Sequence, residues 1–302
     1  MKMKKILAIV LAVLMMASVV SCGNKSGADI SGVSDNKTVE NTFKIENGTL
    51  TYEYVEANTV RIIGYSGKND PHAVVIPSVL TEGETVFATV VAIDDGAFYG
   101  MSNINAVEIP GTITEIGDNA FAGCRGIVSV KIPASITKLG KNAFYNCVKL
   151  TTVEFTNTEN AALTAIPESA FNGCLALATI NLPATVETIA RAAFFNCASL
   201  QTVAMPAALQ SVGMQAFQKC SKLASITFAD QIKLVEPYAF EGCTALTSVF
   251  CPVLEGWNAV LNAGTEDEEK YALTFASVED AIDALINSYF NYTIVRTVSA
   301  AA

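Results

Sequence analysis

The nine residues IGDNAFAGC (116–124), followed by VKIP (130–133), contain the pattern on which the fold depends. Their central pair Ala-Phe recurs through the chain, and its phenylalanines are Phe98, Phe121, Phe144, Phe171, Phe194, Phe217 and Phe240. Successive phenylalanines are 23 residues apart, except for one interval of 27 between Phe144 and Phe171. A fixed period of this length is typical of a solenoid built from stacked repeats.

Five further positions, counted from each Phe as zero, are apolar in all seven repeats. They are −8, −5, +6, +9 and +11, which in the second repeat are Ile113, Ile116, Ile127, Val130 and Ile132. A unit of this size cannot bury such an apolar face alone, whereas stacked units share one continuous core. The sequence therefore predicts seven stacked repeats over residues 90–252.

One β-strand per repeat is predicted at positions +8 to +11. Positions +9 and +11 are apolar and alternate with more polar neighbours, which is the period of a half-buried strand. Strands stacked in register would form a parallel sheet with neighbours ~4.8 Å apart. Proline, which has no N–H, follows several of these strands, as at Pro110 and Pro133.

The Ala-Phe segment is predicted to form a short helical turn. Position +2 is Gly or Asn in six repeats, and these residues tolerate the positive φ found at helix C-termini. Lys219 occupies this position in the sixth repeat, where we expect a local adjustment of the backbone.

The unit resembles the BspA-like leucine-rich repeat over about residues 90–252. The resemblance implies a leucine-rich-repeat solenoid with a parallel β-sheet on one face and short helical turns. Members of that family occur on surface and secreted proteins of gut and oral bacteria and on some protist surfaces. The family is associated with adhesion to host proteins and other cells, so the resemblance also implies a binding protein.

Residues 1–21 have the layout of a secretory signal: a basic start, an apolar run and a small residue before Cys22. Residues 18–22, SVVSC, resemble a bacterial lipobox, which implies cleavage before Cys22 and lipid attachment to its thiol. An ordinary signal peptide with an incidental cysteine is the alternative. Residues 22–36 are small and polar and predict a flexible tether. We therefore expect a lipid-anchored protein of the bacterial cell envelope, on its outer surface.

The residues before the repeats are predicted to form a β-rich cap over 37–89. Strand-like stretches lie at Thr49–Tyr54 and Val60–Tyr65. Such a cap is needed because a solenoid must cover its exposed ends.

The residues after the repeats, 253–302, are predicted to form a mixed α/β cap. Ser277 begins a capping pattern for a helix that runs to about Tyr289, and residues 292–298 are a candidate last strand. Four extra residues between Phe155 and Leu163 account for the long interval and are expected to bulge as a polar loop, which is either a binding loop or a tolerated insertion.

The charge and the histidine content argue against several functions. Removal of residues 1–21 removes three lysines and no acids, so the net charge changes from −10 to −13. An acidic chain without a basic stripe is a poor nucleic-acid binder. The only histidine, His72, lies in a turn sequence, where we expect it to be exposed, and no CxxC motif is present. We therefore predict no enzyme activity, no cofactor and no metal site.

One cysteine lies at position +3 in six repeats: Cys124, Cys147, Cys174, Cys197, Cys220 and Cys243. Methionine fills this position in the first repeat, so the column is interpreted as small and buried. Neighbouring Cα atoms would lie within disulfide range, but stacked side chains point the same way. Free buried thiols are therefore favoured over disulfides.

The outward positions +8 and +10 of the strands form the candidate ligand-binding face. Its predicted residues are Glu108, Ser129, Lys131, Thr152, Glu154, Thr179, Asn181, Thr202, Ser225 and Thr227. Ser and Thr are also simply good strand residues, so the pattern alone leaves a structural explanation open. The leading hypothesis is adhesin-like binding of a protein ligand. The alternatives are capture of extracellular glycan, for which Trp257 and Phe250 are the candidate aromatics, and a structural envelope lipoprotein.

Overall fold

The computed structural model of the chain describes five segments: residues 41–156, 161–250, 257–261, 269–272 and 292–296. The predicted signal peptide, the tether and Cys22 lie outside these segments. So do residues 157–160 of the insertion and the helix predicted from Ser277 to Tyr289. The described residues form strands and turns, and they contain no helix.

The strand predicted at positions +8 to +11 is present in every repeat. The seven strands are β7 (Ile104–Glu108), β9 (Ser129–Ile132), β11 (Thr152–Phe155), β13 (Thr179–Asn181), β15 (Thr202–Ala204), β17 (Ser225–Thr227) and β19 (Ser248–Phe250). Each pairs in parallel with the strand one repeat away, and β4 (His72–Val75) adds an eighth strand at the N-terminal end. Residues at equivalent positions lie side by side, as Val153 does with Val130 and Ile180. The predicted parallel sheet is confirmed.

A second row of strands lies at positions −6 and −5, so the expectation of a sheet on one face only is wrong. These two-residue strands are β8 (Glu115–Ile116), β10 (Lys138–Leu139), β12 (Ala165–Ile166), β14 (Thr188–Ile189), β16 (Ser211–Val212) and β18 (Leu234–Val235). They too pair in parallel between neighbouring repeats. The row is interrupted between β10 and β12, which flank the insertion. Two residues are too few to give a periodic signal in the sequence.

The Ala-Phe segment forms stacked turns, so the predicted short helical turn is wrong. The Phe121 N–H donates to the Ala143 carbonyl of the next repeat (2.8 Å), whereas the next amide, that of Ala122, donates back to Asn119 (3.0 Å). An α-helix would direct every amide back along its own chain by four residues. Here the amides at −2, 0 and +2 instead bond to the following repeat, and only the alternate ones close turns.

This alternation requires a positive φ at positions −2 and +2 around each Phe. At +2 the residues are Gly100, Gly123, Asn146, Gly173, Asn196, Lys219 and Gly242, and all have a positive φ. Lys219 has φ 65° and donates its N–H to Glu241 (2.8 Å) like its equivalents, so the expected local adjustment is absent. Position −2 also has a positive φ in every repeat, from 53° at Ala192 to 63° at Gly96, which the sequence did not indicate.

The seven phenylalanines form one continuous stack through the core. All seven side chains are fully buried, and adjacent ring centroids lie between 5.0 Å (Phe98 and Phe121) and 5.5 Å (Phe144 and Phe171) apart. Tyr65 packs against the first ring at 5.4 Å. Because each ring contacts the rings on either side, burial of the Phe column joins all seven repeats into one core.

The six predicted cysteines are free and buried. Each thiol donates to the carbonyl of the Phe one repeat earlier, as Cys197 Sγ does to Phe171 at 3.2 Å. The same Phe171 carbonyl also accepts the Cys174 N–H, at 3.2 Å. The column therefore needs a small side chain with a weak donor, and cysteine provides both.

A β-rich segment precedes the repeats, as predicted. Its strands are β1 (Asn41–Ile45), β2 (Gly48–Glu56), β3 (Thr59–Gly67), β5 (Val79–Glu82) and β6 (Thr85–Ile93). Strands β1 to β3 are antiparallel, and β3 pairs in parallel with β6, which continues into the second row through β8.

His72 begins β4 and is buried, so its expected exposure is wrong. Its Nε2 lies 2.7 Å from the Tyr65 hydroxyl, and its Nδ1 lies 2.6 Å from the Asp70 carbonyl oxygen. The ring thus joins β3 to the turn before β4. It therefore contributes two hydrogen bonds within the N-terminal segment.

The described part of the C-terminal segment consists of β20 (Trp257–Leu261), β21 (Glu269–Ala272) and β22 (Thr293–Arg296). Strand β22 lies within the last strand predicted from the sequence. It pairs antiparallel with β18 and so covers the end of the second row of strands.

Replacement of one central ring tests the Phe stack. We expect Phe171→Ala to lower the free energy of unfolding by about 3–5 kcal/mol, because a fully buried ring is lost from the core. Urea unfolding followed by circular dichroism measures the change. The control is Phe250→Ala, since Phe250 is 58% exposed, and its effect should be about 0.5 kcal/mol or less. Equal losses in the two variants would contradict the role of the stack.

The buried thiols predict a loss of stability at alkaline pH. Burial raises the pKa of Cys124 from 9.0 to about 12, and it raises the pKa of Cys147, Cys174, Cys197 and Cys243 as well. Above pH ~9 the unfolded chain therefore releases protons that the folded chain retains. The free energy of unfolding should fall as pH rises, by at most about 1.4 kcal/mol per pH unit for each thiol.

This slope can be measured by urea unfolding, under reducing conditions, at several pH values between about 7 and 11. The variant Cys174→Ala should lose stability less steeply with pH than the parent protein. Tyr65, whose pKa burial also raises, contributes equally to both proteins and drops out of the comparison. Identical slopes would show that the Cys174 thiol ionises as readily when folded as when unfolded.

Candidate ligand-binding face

The ten residues predicted for the ligand-binding face lie together on the first sheet. Strand pairing places the +8 residues side by side, as with Ser129, Thr152 and Thr179, and it does the same for the +10 residues Glu154 and Asn181. Nine of the ten are exposed and Ser225 is half-buried. The structure therefore brings all ten side chains to one surface, named here the sheet face.

The pleat of the strands fixes this orientation. In β11 the apolar Val153 and Phe155 are buried while Thr152 and Glu154 are exposed. Side chains alternate across a strand with a period of two, so each buried column at +9 holds its neighbours at +8 and +10 outward. The face is thus set by the core and not by contacts among its own residues.

The +8 column is a row of small side chains, six of which carry a hydroxyl. It consists of Ala106, Ser129, Thr152, Thr179, Thr202, Ser225 and Ser248. Thr152 Oγ1 lies 3.5 Å from Thr151 Oγ1. In the part of the chain that the structure describes, the other hydroxyls of this column have no side-chain hydrogen bond. Because the strand amides are used within the sheet, a ligand would be recognised through these side chains.

The +10 column is charged at its N-terminal end. Glu108, Lys131 and Glu154 lie on adjacent strands, and Lys131 Nζ is 3.7 Å from Glu154 Oε2. Both partners of this ion pair are well exposed, so it contributes at most about 1 kcal/mol to stability. The three charges are therefore available to a ligand at little cost to the fold.

Two shallow hollows mark the sheet face. One, of about 340 Å³, is lined by Thr152, Glu154, Thr179 and Asn181 together with the strand residues between them. The other, of about 450 Å³, lies at the ends of β7 and β9 and includes Glu108 and Lys131. Its remaining lining residues, among them Ser135 and Thr156, were not predicted from the sequence. Both residues follow a strand, and Thr156 occupies the position after β11 at which Pro110 and Pro133 stand in the first two repeats.

No group of three or more His, Cys, Asp or Glu side chains suited to a metal ion occurs among the described residues. Within the same segments, no helix is long and apolar enough to cross a membrane. Asp95 and Asp118, acids in the turns, accept hydrogen bonds from the backbone of the next repeat at 2.6 and 2.7 Å. These carboxylates are therefore part of the turn structure.

Solved structures of several bacterial proteins are similar to this chain. A leucine-rich repeat protein of T. pallidum is 27% identical, with a TM-score of 0.57 over 66% of this chain and 88% of that one. A leucine-rich cell surface protein of Faecalibacterium prausnitzii is 26% identical, with a TM-score of 0.61 over 78% of this chain. The match spans only 61% of the Faecalibacterium protein. A leucine-rich repeat protein of Eubacterium ventriosum, 24% identical with a TM-score of 0.57, shares the fold over 74% of this chain and 54% of its own.

No curated protein sequence matches the chain. The sequence pattern of the BspA type leucine-rich repeat region matches residues 84–164 and 164–258, in six copies. These residues make up more than half of the chain and contain all seven stacked phenylalanines. The chain belongs to the BspA type leucine-rich repeat family.

Proposed function

We propose that this protein is an adhesin-like binding protein of the bacterial cell surface and that it recognises protein ligands through the sheet face. The observation that carries the proposal is the set of ten outward side chains held in register on the first sheet. They present hydroxyls, an amide and three charges on a surface whose backbone is fully committed to the sheet. Repeats of this type generally serve as protein-binding scaffolds.

The geometry favours a macromolecular ligand over a small molecule. Seven strands at ~4.8 Å spacing make a face about 29 Å long, and its hollows are shallow. An interface of standard size buries about 800 Å² on each partner. The strands are only about 10 Å long, so a protein ligand would also contact the turns beside the sheet. Short Ser and Thr side chains on a rigid sheet lose little conformational entropy on binding. The face is therefore suited to a folded domain or an extended protein segment.

The proposed location rests on the N-terminal sequence and on the relatives. Residues 18–22 resemble the lipobox pattern, which ends in a lipid-modified cysteine, and the Faecalibacterium protein is a cell surface protein. In this proposal, acyl chains on Cys22 anchor the protein and residues 22–36 tether the repeats to the membrane. Two or more acyl chains give stable anchoring where one alone is marginal.

Lysine substitutions on the sheet face test the binding surface. We expect the triple variant Thr152→Lys, Glu154→Lys and Thr179→Lys to reduce adhesion of the purified protein to host-cell and matrix proteins at least tenfold. The reason is that three long cations would cover the hollow of about 340 Å³. Adhesion is measured by surface plasmon resonance against a panel of immobilised proteins.

The matched control for this variant lies at the start of the second row of strands, in β8 and in the residues just before β8 and β10. The control variant carries Thr114→Lys, Glu115→Lys and Thr137→Lys. It replaces the same residue types, also at exposed positions, and changes the net charge by the same amount. This control should bind as the parent protein does. If both triple variants bind equally well, the sheet face is not the binding surface.

Protease shaving of intact cells tests the proposed location. The repeat domain should be lost from intact cells while cytoplasmic and periplasmic marker proteins survive. A Cys22→Ala variant should appear in the culture medium or remain as an uncleaved precursor, since the site of lipid attachment is gone. Survival of the repeat domain until the envelope is broken would exclude the adhesin role and favour a structural envelope lipoprotein.

A further inference from the structure

A hollow of about 350 Å³ lies on the stacked turns, away from the sheet face. It spans three repeats, and its lining residues are Glu168, Ser169, Asn172, Arg191, Ala192, Phe195 and Gln215. None of these residues belongs to the strands. The hollow is therefore a feature separate from the proposed protein-binding surface.

The hollow exists because two side chains in the −2 column are short. Ser169 and Ala192 occupy this column in the fourth and fifth repeats, where the second and third repeats have Asn119 and Asn142. All four residues have φ between 53° and 57°. Asparagine adopts this conformation more readily than serine or alanine. Two short side chains therefore form the floor of the hollow, at positions where asparagine fits the same backbone conformation.

The walls combine an aromatic ring with amide side chains. Phe195 is half-buried, and Lys219 Nζ lies 5.4 Å from its ring centroid. Asn172 and Gln215 use their NH₂ groups within the turns, donating to Ser169 Oγ (3.4 Å) and Gln218 Oε1 (2.8 Å). Their side-chain oxygens remain as acceptors for a ligand's hydroxyl groups.

The lining of the hollow contains one acid, Glu168, and one base, Arg191. Glu168 is paired with Lys141 at 3.3 Å, so Arg191 is the unpaired charge of the lining. The nearby acids Glu236 and Glu241 accept hydrogen bonds within the turns, from the Met214 N–H and from Gln218 Nε2. The Arg191 side chain is exposed and has neither an ion pair nor a hydrogen bond in the segments that the structure describes. A free guanidinium on a chain of net charge −10 points to an anionic ligand, and its planar fork suits a carboxylate.

We propose that this hollow binds a carboxylated sugar unit of a glycan. The pyranose ring contacts Phe195 beside the Lys219 ammonium that lies over that ring, its carboxylate pairs with Arg191, and its hydroxyls donate to Asn172 and Gln215. The volume accommodates one or two sugar rings, and its shallowness lets the rest of the glycan extend past the turns. This site adds a second ligand class to a protein whose sheet face is proposed to bind proteins.

The probe is an array of oligosaccharides that contain glucuronic, galacturonic or sialic acid, each beside its carboxyl-reduced neutral counterpart. The mature chain is expected to bind acidic members and to bind their neutral counterparts at least tenfold more weakly. For the best acidic member, Arg191→Gln should raise Kd at least tenfold, whereas Arg125→Gln, which removes another exposed arginine, should leave Kd unchanged.

The variant Ala192→Asn separates a binding defect from a folding defect. Asparagine is already used at this position in two other repeats, so the variant should fold as well as the parent, yet its side chain fills the hollow and should abolish binding. Phe195→Ala should weaken binding, and Tyr99→Ala, at the equivalent position of the first repeat, should not. The proposal is overturned if no acidic glycan binds, if neutral counterparts bind equally, or if Ala192→Asn binds normally. It is also overturned if a glutamate-rich peptide binds the hollow more tightly than any glycan.

Discussion

The fold depends on hydrogen bonds that leave each turn along the axis of the solenoid. In the first six turns the amides at −2, 0 and +2 donate to carbonyls of the following repeat, and the alternate amides close the turn itself. This arrangement demands a positive φ on both sides of Phe and a small side chain at −1. It also places each Phe ring over the ring of the previous repeat. The Ala-Phe pair is invariant within the chain because both requirements meet at these two residues.

Most of the stabilising contacts in the solenoid join adjacent repeats. The Phe stack, the thiol bonds to Phe carbonyls and the strand pairings each join one repeat to the next. The free energy of unfolding is then close to a sum of contributions from the repeats and from the interfaces between them. The two terminal repeats have a neighbouring repeat on one side only, so other segments must cover their second side. Tyr65 meets the first ring, and β22 pairs with the last strand of the second row. Because the repeats stack in register, exposed side chains at equivalent positions also form columns on the surface.

The sequence predicted those parts of the structure that repeat with a side-chain signal. The +9 and +11 columns identified the strands, and the cysteine column identified buried thiols, because burial selects residue type directly. The second row of strands was missed because its two residues, such as Glu115 and Ile116, carry only one buried position. The turn was misread because a positive φ at +2 is common to helix ends and to stacked turns. His72 was misplaced because its partner, Tyr65, comes from another strand.

The two candidate sites also differ in how far the sequence predicts them. The ten residues of the sheet face were predictable since a strand's alternation fixes which side chains point outward. The hollow on the turns was not predicted, because it arises where two short residues are adjacent in space but 23 residues apart in sequence. The signal was present in the −2 column, where Ser169 and Ala192 replace the asparagines of earlier repeats.

The interruption of the second row between β10 and β12 shows where this architecture accepts new sequence. Across the four-residue insertion the strand pairing of β11 with β13 and the turn bonds of Phe144 to Ala170 are kept. Between these two repeats, the first sheet and the stacked turns therefore remain paired, and only the second row of strands is interrupted. A gene of this kind can therefore vary in two ways. Duplication of a whole repeat lengthens every column at once, whereas a short insertion interrupts only the second row of strands, whose pairing the neighbouring repeat does not need. The second route diversifies one rim of the molecule while both candidate binding surfaces stay in register.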